Sequence, residues 1–303
     1  MASVFVEGTF GYYCLPASSV DSSHPPKPLK IVTPTEPGTY PIILLLHGFY
    51  LHNSYYKGLL QHIVSHGFIA VAPQLYELLP PSGQDEINSA SEVANWLSKN
   101  LSSLLLSENK NIIADFTKVA ISGHSRGGKI AFALALGHAT EPALSFKFSV
   151  LIGIDPVDGL NKTTLWLEPH ILTYKPCSFD LDIPIAVIGT GLGSENSNNI
   201  SLPCAPDGLN HKEFFNECQS PRAHFVAKDF GHMDMLDDDA GTVGQFLKCL
   251  CKKGCPKDHM RRATGGIIVA FLNAYLNDDS GDLLAIVANP SLSPATLEDV
   301  ECH

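Results

Sequence analysis

Gly123-His124-Ser125-Arg126-Gly127 sets a serine between two glycines, one residue from each, the spacing of a nucleophile elbow. In that motif a strand enters, a sharp turn exposes the serine hydroxyl, and a helix leaves. The flanking residues comply. The run Val119-Ala-Ile-Ser122 comes before, and Ile130, Phe132, Ala133, Leu134 and Leu136 follow at helical spacing. The glycines remove Cβ atoms where strand and helix backbones converge, and the helix N-terminus aims positive dipole charge at an oxyanion formed beside the serine. The chemistry offered is attack of a serine oxygen on an acyl carbonyl. Gly123 to Lys129 also reads G-x-x-x-x-G-K, most of a phosphate-binding loop. That loop needs Ser or Thr after the lysine to hold Mg²⁺. Ile130 stands there, and an apolar side chain cannot ligate a hard cation.

A serine hydroxyl needs a positioned base, and the base needs an orienting acid. In strand–helix alternating hydrolases the chain order is serine, acid, histidine. Among thirteen histidines, His232 in Asp229-Phe-Gly-His232 directly follows the last strand-like run, where the base belongs. Asp155 ends the run Phe148–Ile154 and precedes Pro156, so it is the acid by position; turn capping is its alternative use. Asp158, three residues on, and Glu195, after the next strand, remain alternatives. Two backbone N–H groups are expected to hold the oxyanion: that of Arg126, next after the serine, and that of Phe49, just past the apolar run Pro41–Gly48. His47 reads as scaffold. Tyr50, Leu51, Leu75, Tyr76 and Trp166 lie in loops on the same side and are expected to line an apolar substrate pocket, although each could equally close the core. Asp234, Asp237, Asp238 and Asp239 read as a helix start rather than a cation site. No metal or cofactor is expected.

These residues need a frame that brings strand ends together. Pro41–Gly48, Phe68–Gln74, Thr117–Gly123, Phe148–Asp155, Ile183–Thr190 and Ala223–Lys228 read as strands. Asn53–His66, Glu86–Leu105, residues 126–137 and Thr264–Leu276 read as helices. Strands alternating with helices predict an α/β architecture, a mostly parallel doubly wound sheet flanked by helices. Its ligands lie beyond the strand carboxyl ends. Residues 1–303 read as a single domain, with 1–40 an extended entry segment and 191–222 and 237–263 as long irregular loops.

The 45% apolar content is enough for a sizeable core, while the formal charge of −11 argues against nucleic acid as a partner. No apolar run reaches the ~18–20 residues needed to span a bilayer, which leaves peripheral membrane contact open. The start, Met1-Ala-Ser-Val-Phe-Val-Glu7, shows neither a secretory signal nor a clear transit peptide. Eight cysteines, including Cys249, Cys251 and Cys255, lack paired zinc-ligand spacing. They read as disulfides or thiols; bridging would imply folding outside a reducing cytosol.

With serine, acid and base placed, the chain resembles the plant chlorophyllase family. The likeness rests on Ala72–Tyr76, Ser122–Lys129, Leu151–Gly159, Ser178–Asp182, Ile188–Gly193, Phe214–Cys218 and Phe225–Asp239. It implies an α/β-hydrolase fold and a serine esterase cleaving the phytyl ester of chlorophyll, or of a related phytylated tetrapyrrole, to chlorophyllide and phytol. It further implies a chloroplast location and supports Ser125, Asp155 and His232 as the triad. A general carboxylesterase for smaller apolar esters and a non-catalytic pigment-binding protein are the alternatives.

Overall fold

Apolar runs that offer no polar face must be covered on both sides, and here they make the centre of one sheet. In the computed structural model, which describes residues 3–15, 24–77, 79–107, 111–161, 168–198, 202–239 and 249–303, nine strands share that sheet. They are β1 (Tyr12–Cys14), β2 (Leu29–Pro34), β3 (Gly38–Leu46), β4 (Ile69–Pro73), β5 (Ile112–His124), β6 (Val150–Ile154), β7 (Ile185–Thr190), β8 (Arg222–Ala227) and β9 (Leu297–Cys302). Their spatial order is β1-β2-β4-β3-β5-β6-β7-β8-β9. From β4 through β8 every pairing is parallel; β1, β2 and β9 are antiparallel additions at the two edges. All six parallel strands therefore point their carboxyl ends the same way.

Successive strand residues face opposite sides, and the core divides accordingly. Ile43, Leu45, Ile152, Ile154 and Ile188 pack in one layer with α1 (Lys57–Val64) and the C-terminal helix Lys257–Leu276. Ile42, Leu44, Ile121, Leu151 and Val187 pack in the other with α2 (Gly83–Ser107), α3 (Arg126–Ala135) and α4 (His211–Glu217). The Lys257–Leu276 helix is α5, and α6 (Gly281–Ala288) leads to β9.

The structure departs from expectation at the sheet edges and in the loops. Residues 1–40 are more than an entry segment. Phe5 is fully buried, Tyr12–Cys14 and Leu29–Pro34 are strands, and β3 begins at Gly38. In β9 (Leu-Glu-Asp-Val-Glu-Cys) the residues are all exposed or half-exposed, so no apolar run marks it. The stretch 191–222 contains α4, capped by Asn210 Oδ1 accepting from Lys212 N at 3.1 Å. Its helix is one short amphipathic turn pair, too brief for periodicity to reveal. Cys204 and Cys251 form a disulfide between the two long loops. Within the 237–263 stretch α5 starts early, at Lys257, and residues 240–248 lie outside the described ones.

The elbow itself is a packing constraint. A Cβ on Gly123 would fall 2.1 Å from the Gly127 carbonyl oxygen, and one on Gly127 would fall 2.4 Å from the oxygens of Leu46 and His47. Both obstacles are backbone and cannot swing aside. Gly137, by contrast, has a positive φ of 83° with nothing near its would-be Cβ. Gly137→Ala should cost only the left-handed conformational penalty, about 1–2 kcal/mol. Gly123→Ala should cost about 3 kcal/mol or more, the upper end for overpacking. Thermal melts of the two variants measure the difference; equal melting temperatures would remove the steric account.

Candidate active site

Strand β5 delivers Ser125 at its carboxyl end, and the turn is tight enough to force the serine to φ 58° and ψ −124°. Such a conformation in a non-glycine residue persists only when its surroundings hold it. They do so here through three backbone bonds. Ser125 N donates to Ile154 O at 3.0 Å, and Ser125 O accepts from Val157 N at 3.1 Å and from Lys129 N at 3.2 Å. The first two tie the elbow to the end of β6, where Asp155 stands.

Asp155 also has positive φ, 42°, and its N–H donates to Ile188 O on β7 at 2.6 Å. Its Oδ2 accepts from Thr190 Oγ1 at 2.6 Å, and its Oδ1 from Thr190 N at 3.3 Å. His232, in the turn after β8, brings Nδ1 to 2.7 Å from Asp155 Oδ2 and Nε2 to 2.8 Å from Ser125 Oγ. A carboxylate can only accept, so Nδ1 carries the proton and Nε2 is left to accept from the serine hydroxyl. Burial works to raise the Asp155 carboxyl, but the hydrogen bond and charge of His232, with His211 and Thr190, hold it below its ordinary value. The turn bearing His232 is fixed by Asp234 Oδ2, which accepts from Gly231 N at 2.7 Å and Gly254 N at 2.6 Å. Asp237 likewise takes the Gly58 amide, Asp238 pairs with Arg261 and Asp234 with Lys257; these residues lie in a turn segment rather than in the helix start expected.

The two alternative acids go elsewhere. Asp158 is buried against Lys129, Nζ to Oδ1 2.7 Å. Glu195 is exposed and 3.6 Å from Lys252. The Lys129 pairing also takes the lysine out of reach of any phosphate. His47 accepts from Leu75 N through Nε2 at 3.0 Å and donates from Nδ1 to Gly48 O at 2.9 Å. Both nitrogens are thus occupied by backbone, the work of a scaffold residue.

Just after β3, the amides of Gly48, Tyr50 and Leu51 donate to Tyr56 Oη, Tyr76 Oη and Gly48 O at 3.0, 3.3 and 3.1 Å. Among the described residues the Phe49 amide has no acceptor, and neither has that of Arg126. This loop abuts the nucleophile: a Cβ on Gly48 would sit 3.2 Å from Ser125 Cβ. Two free donors beside a serine with its base and acid in line are the parts of an acyl-transfer site.

Comparison with known proteins identifies the family. The chlorophyllase family model matches residues 1–303. The chain belongs to the chlorophyllase family. It is 51% identical to Chlorophyllase-1 of Arabidopsis thaliana over 98% of this chain and 93% of that protein. It is 48% identical to "Chlorophyllase-1, chloroplastic" of Citrus unshiu over 98% of this chain and 88% of the relative. Chlorophyllase type 0 of Chenopodium album is 47% identical over 90% and 78%. Membership of the chlorophyllase family makes the mostly parallel sheet that of an α/β-hydrolase.

Around this chlorophyllase-family site, some residues expected to line a pocket do other work. Leu51 and Leu75 are buried in the two core layers. Tyr76 is buried too, with its hydroxyl on the Tyr50 amide. Tyr50 is half-buried and Phe49 exposed; Trp166 lies outside the described residues. Arg126, named for its amide alone, also matters through its side chain. Its guanidinium reaches Glu86 at 2.5 Å and Pro81 O at 2.8 Å and lies 5.6 Å from the Phe49 ring centre and 6.0 Å from that of Tyr76. Thr190, Tyr56 and His124 escaped sequence reading, since nothing in spacing distinguishes them from core or turn residues.

Buried histidines should make the stability of this protein fall in acid. Burial lowers His47 to about 4 and His124 and His224 to about 3, from 6.5. Below pH ~6.5 each unfolded imidazole takes a proton that its native counterpart refuses, so stability falls by about 1.4 kcal/mol per pH unit for each histidine. The loss runs from pH 6.5 down to about 4 for His47 and about 3 for His124 and His224; the depressed Asp155 carboxyl adds to it only below its ordinary value of 3.8. Urea midpoints should drop steeply between pH 7 and pH 5. A midpoint flat across that interval would contradict the burial of these rings.

Proposed function

We propose that this chain is a serine esterase that hydrolyses the phytyl ester of chlorophyll to chlorophyllide and phytol. The observation that carries the reading is the unbroken hydrogen-bond line Ser125 Oγ–His232 Nε2, His232 Nδ1–Asp155 Oδ2 in a chlorophyllase-family chain. Ser125 Oγ attacks the ester carbonyl as His232 Nε2 takes its proton. Asp155 keeps the imidazole in the accepting tautomer and stabilises the imidazolium. The amides of Phe49 and Arg126 receive the negative carbonyl oxygen. The carbon–oxygen bond to phytol then breaks, and phytol leaves with the proton from Nε2. Water attacks the acyl carbon and gives its proton to Nε2; the Ser125 ester bond then breaks as Nε2 returns that proton to Oγ, releasing the pigment acid, which ionises to its carboxylate.

An apolar surface supports the substrate class. Phe49, Leu79, Leu160 and Leu202 are exposed in the loops following β3, β4, β6 and β7, at the end of the sheet that carries Ser125. A C20 alcohol tail gains from such a rim, as would peripheral contact with a lipid surface. No helix among the described residues is long and apolar enough to cross a membrane. The relatives from Citrus unshiu and Citrus sinensis are named chloroplastic, which supports the chloroplast as the place of action.

Ser125→Ala should lower chlorophyll a hydrolysis by about 10⁴-fold or more without altering the circular dichroism spectrum, and Asp155→Asn by about 10³–10⁴-fold. Chlorophyllide release, followed by chromatography, and serine labelling by a fluorophosphonate check both. Turnover retained in Ser125→Ala would sink the mechanism. Hydrolysis of p-nitrophenyl butyrate with none of chlorophyll a would make the chain a general carboxylesterase.

A further inference from the structure

His124 precedes the nucleophile and has no part in the steps above, yet it is wholly buried with both ring nitrogens engaged. Nδ1 lies 2.8 Å from Tyr56 Oη, and Nε2 lies 2.9 Å from the carbonyl oxygen of His232. The carbonyl can only accept, so Nε2 donates and Nδ1 accepts the Tyr56 hydroxyl proton. Tyr56 Oη in turn accepts from Gly48 N–H at 3.0 Å. The bonds run one way: Gly48 N–H to Tyr56 O–H, Tyr56 O–H to His124, His124 N–H to His232 C=O. Every donor in this line has one acceptor. The His124 ring also packs against that of His232, centres 4.7 Å apart, and the would-be Cβ of Gly48 lies 3.2 Å from His124 Nδ1.

We propose that Tyr56 and His124 are positioning residues, a buried relay that locks the loop bearing the Phe49 amide to the main chain of His232. One end holds the peptide next to an oxyanion donor; the other holds the base itself. The two are brought from β3 and β8, separated in the sheet by β5, β6 and β7, and the relay bridges them beside the serine. Ground-state binding of an ester needs neither alignment, whereas the tetrahedral intermediate needs both. The relay therefore acts on kcat, leaving KM nearly unchanged.

The inference rests on the serine mechanism, and the test separates the two. Tyr56→Phe keeps the ring and removes the hydroxyl. Its kcat on p-nitrophenyl butyrate and chlorophyll a should fall about 10–100-fold, up to the cost of a ~1 Å misplacement and below the ~10²–10³-fold cost of losing an oxyanion donor outright, with KM within about twofold. Affinity for an aryl boronic acid, which forms a tetrahedral adduct on the serine, should weaken in parallel. His124→Asn, whose amide oxygen can take the Nδ1 role, and His124→Gln, whose amide N–H can take the Nε2 role, should each keep more kcat than His124→Leu. Fluorophosphonate titration normalises each rate to correctly folded sites. Tyr56→Phe with kcat and boronate affinity unchanged would overturn the relay, as would losses that disappear on normalisation. If wild type and Ser125→Ala hydrolyse equally, the serine mechanism fails and the relay with it; an inert Ser125→Ala beside a fully active Tyr56→Phe removes the relay alone.

Discussion

The backbone crossing at Gly123 and Gly127 is the contact on which the site depends. Strand β5 must stop, reverse direction and become a helix within the width of one residue, and two chains of backbone atoms occupy the space where side chains would be. That crowding turns Ser125 into an unfavourable conformation, which lifts its oxygen clear of the sheet and leaves the first amide of α3 without an acceptor. In the proposed mechanism the same geometry supplies the nucleophile and part of its electrostatic support. The strain at Ser125 is held by bonds from β6 and the following turn, and Asp155 beside it shares the positive φ.

Around that point the electrostatics follow from burial. Asp155 is surrounded by donors, and they stabilise its charge more than the interior opposes it. His47 and His124 meet the reverse condition: with a backbone or hydroxyl partner on each nitrogen and little water, they are neutral linkers. The Lys129–Asp158 and Arg126–Glu86 pairs place two cations and two anions close to the serine without leaving a net charge. An apolar ester approaching Ser125 therefore meets no uncompensated field from these residues.

The parallel centre of the sheet was readable because strands covered on both faces leave long unbroken apolar runs, as in Ile42–Leu46 and Val150–Ile154. Strands β1, β2 and β9 were not. Edge strands are half-wet and carry mixed residues, so Leu297–Cys302 looks like an acidic tail. Ser125 was marked by its glycines and His232 by its place after β8. The acids were harder: Asp155, Asp158 and Glu195 all follow strands, and only three-dimensional partners separate a carboxylate facing His232 from one neutralised by Lys129 or Lys252. His124 occupies the variable position of its motif, and its role depends on Tyr56 and His232, which are 68 and 108 residues away in sequence.

The Cys204–Cys251 bond closes a covalent ring through α4, β8 and the turn that carries His232. A single backbone cut anywhere inside that ring would leave the protein one molecule, with the His232 turn still joined to it by the remaining covalent route. Outside the ring, the serine and Asp155 lie on the amino-terminal side, joined to it only through the ordinary chain. The imidazole is thus the member of the site with two covalent routes to the rest of the fold.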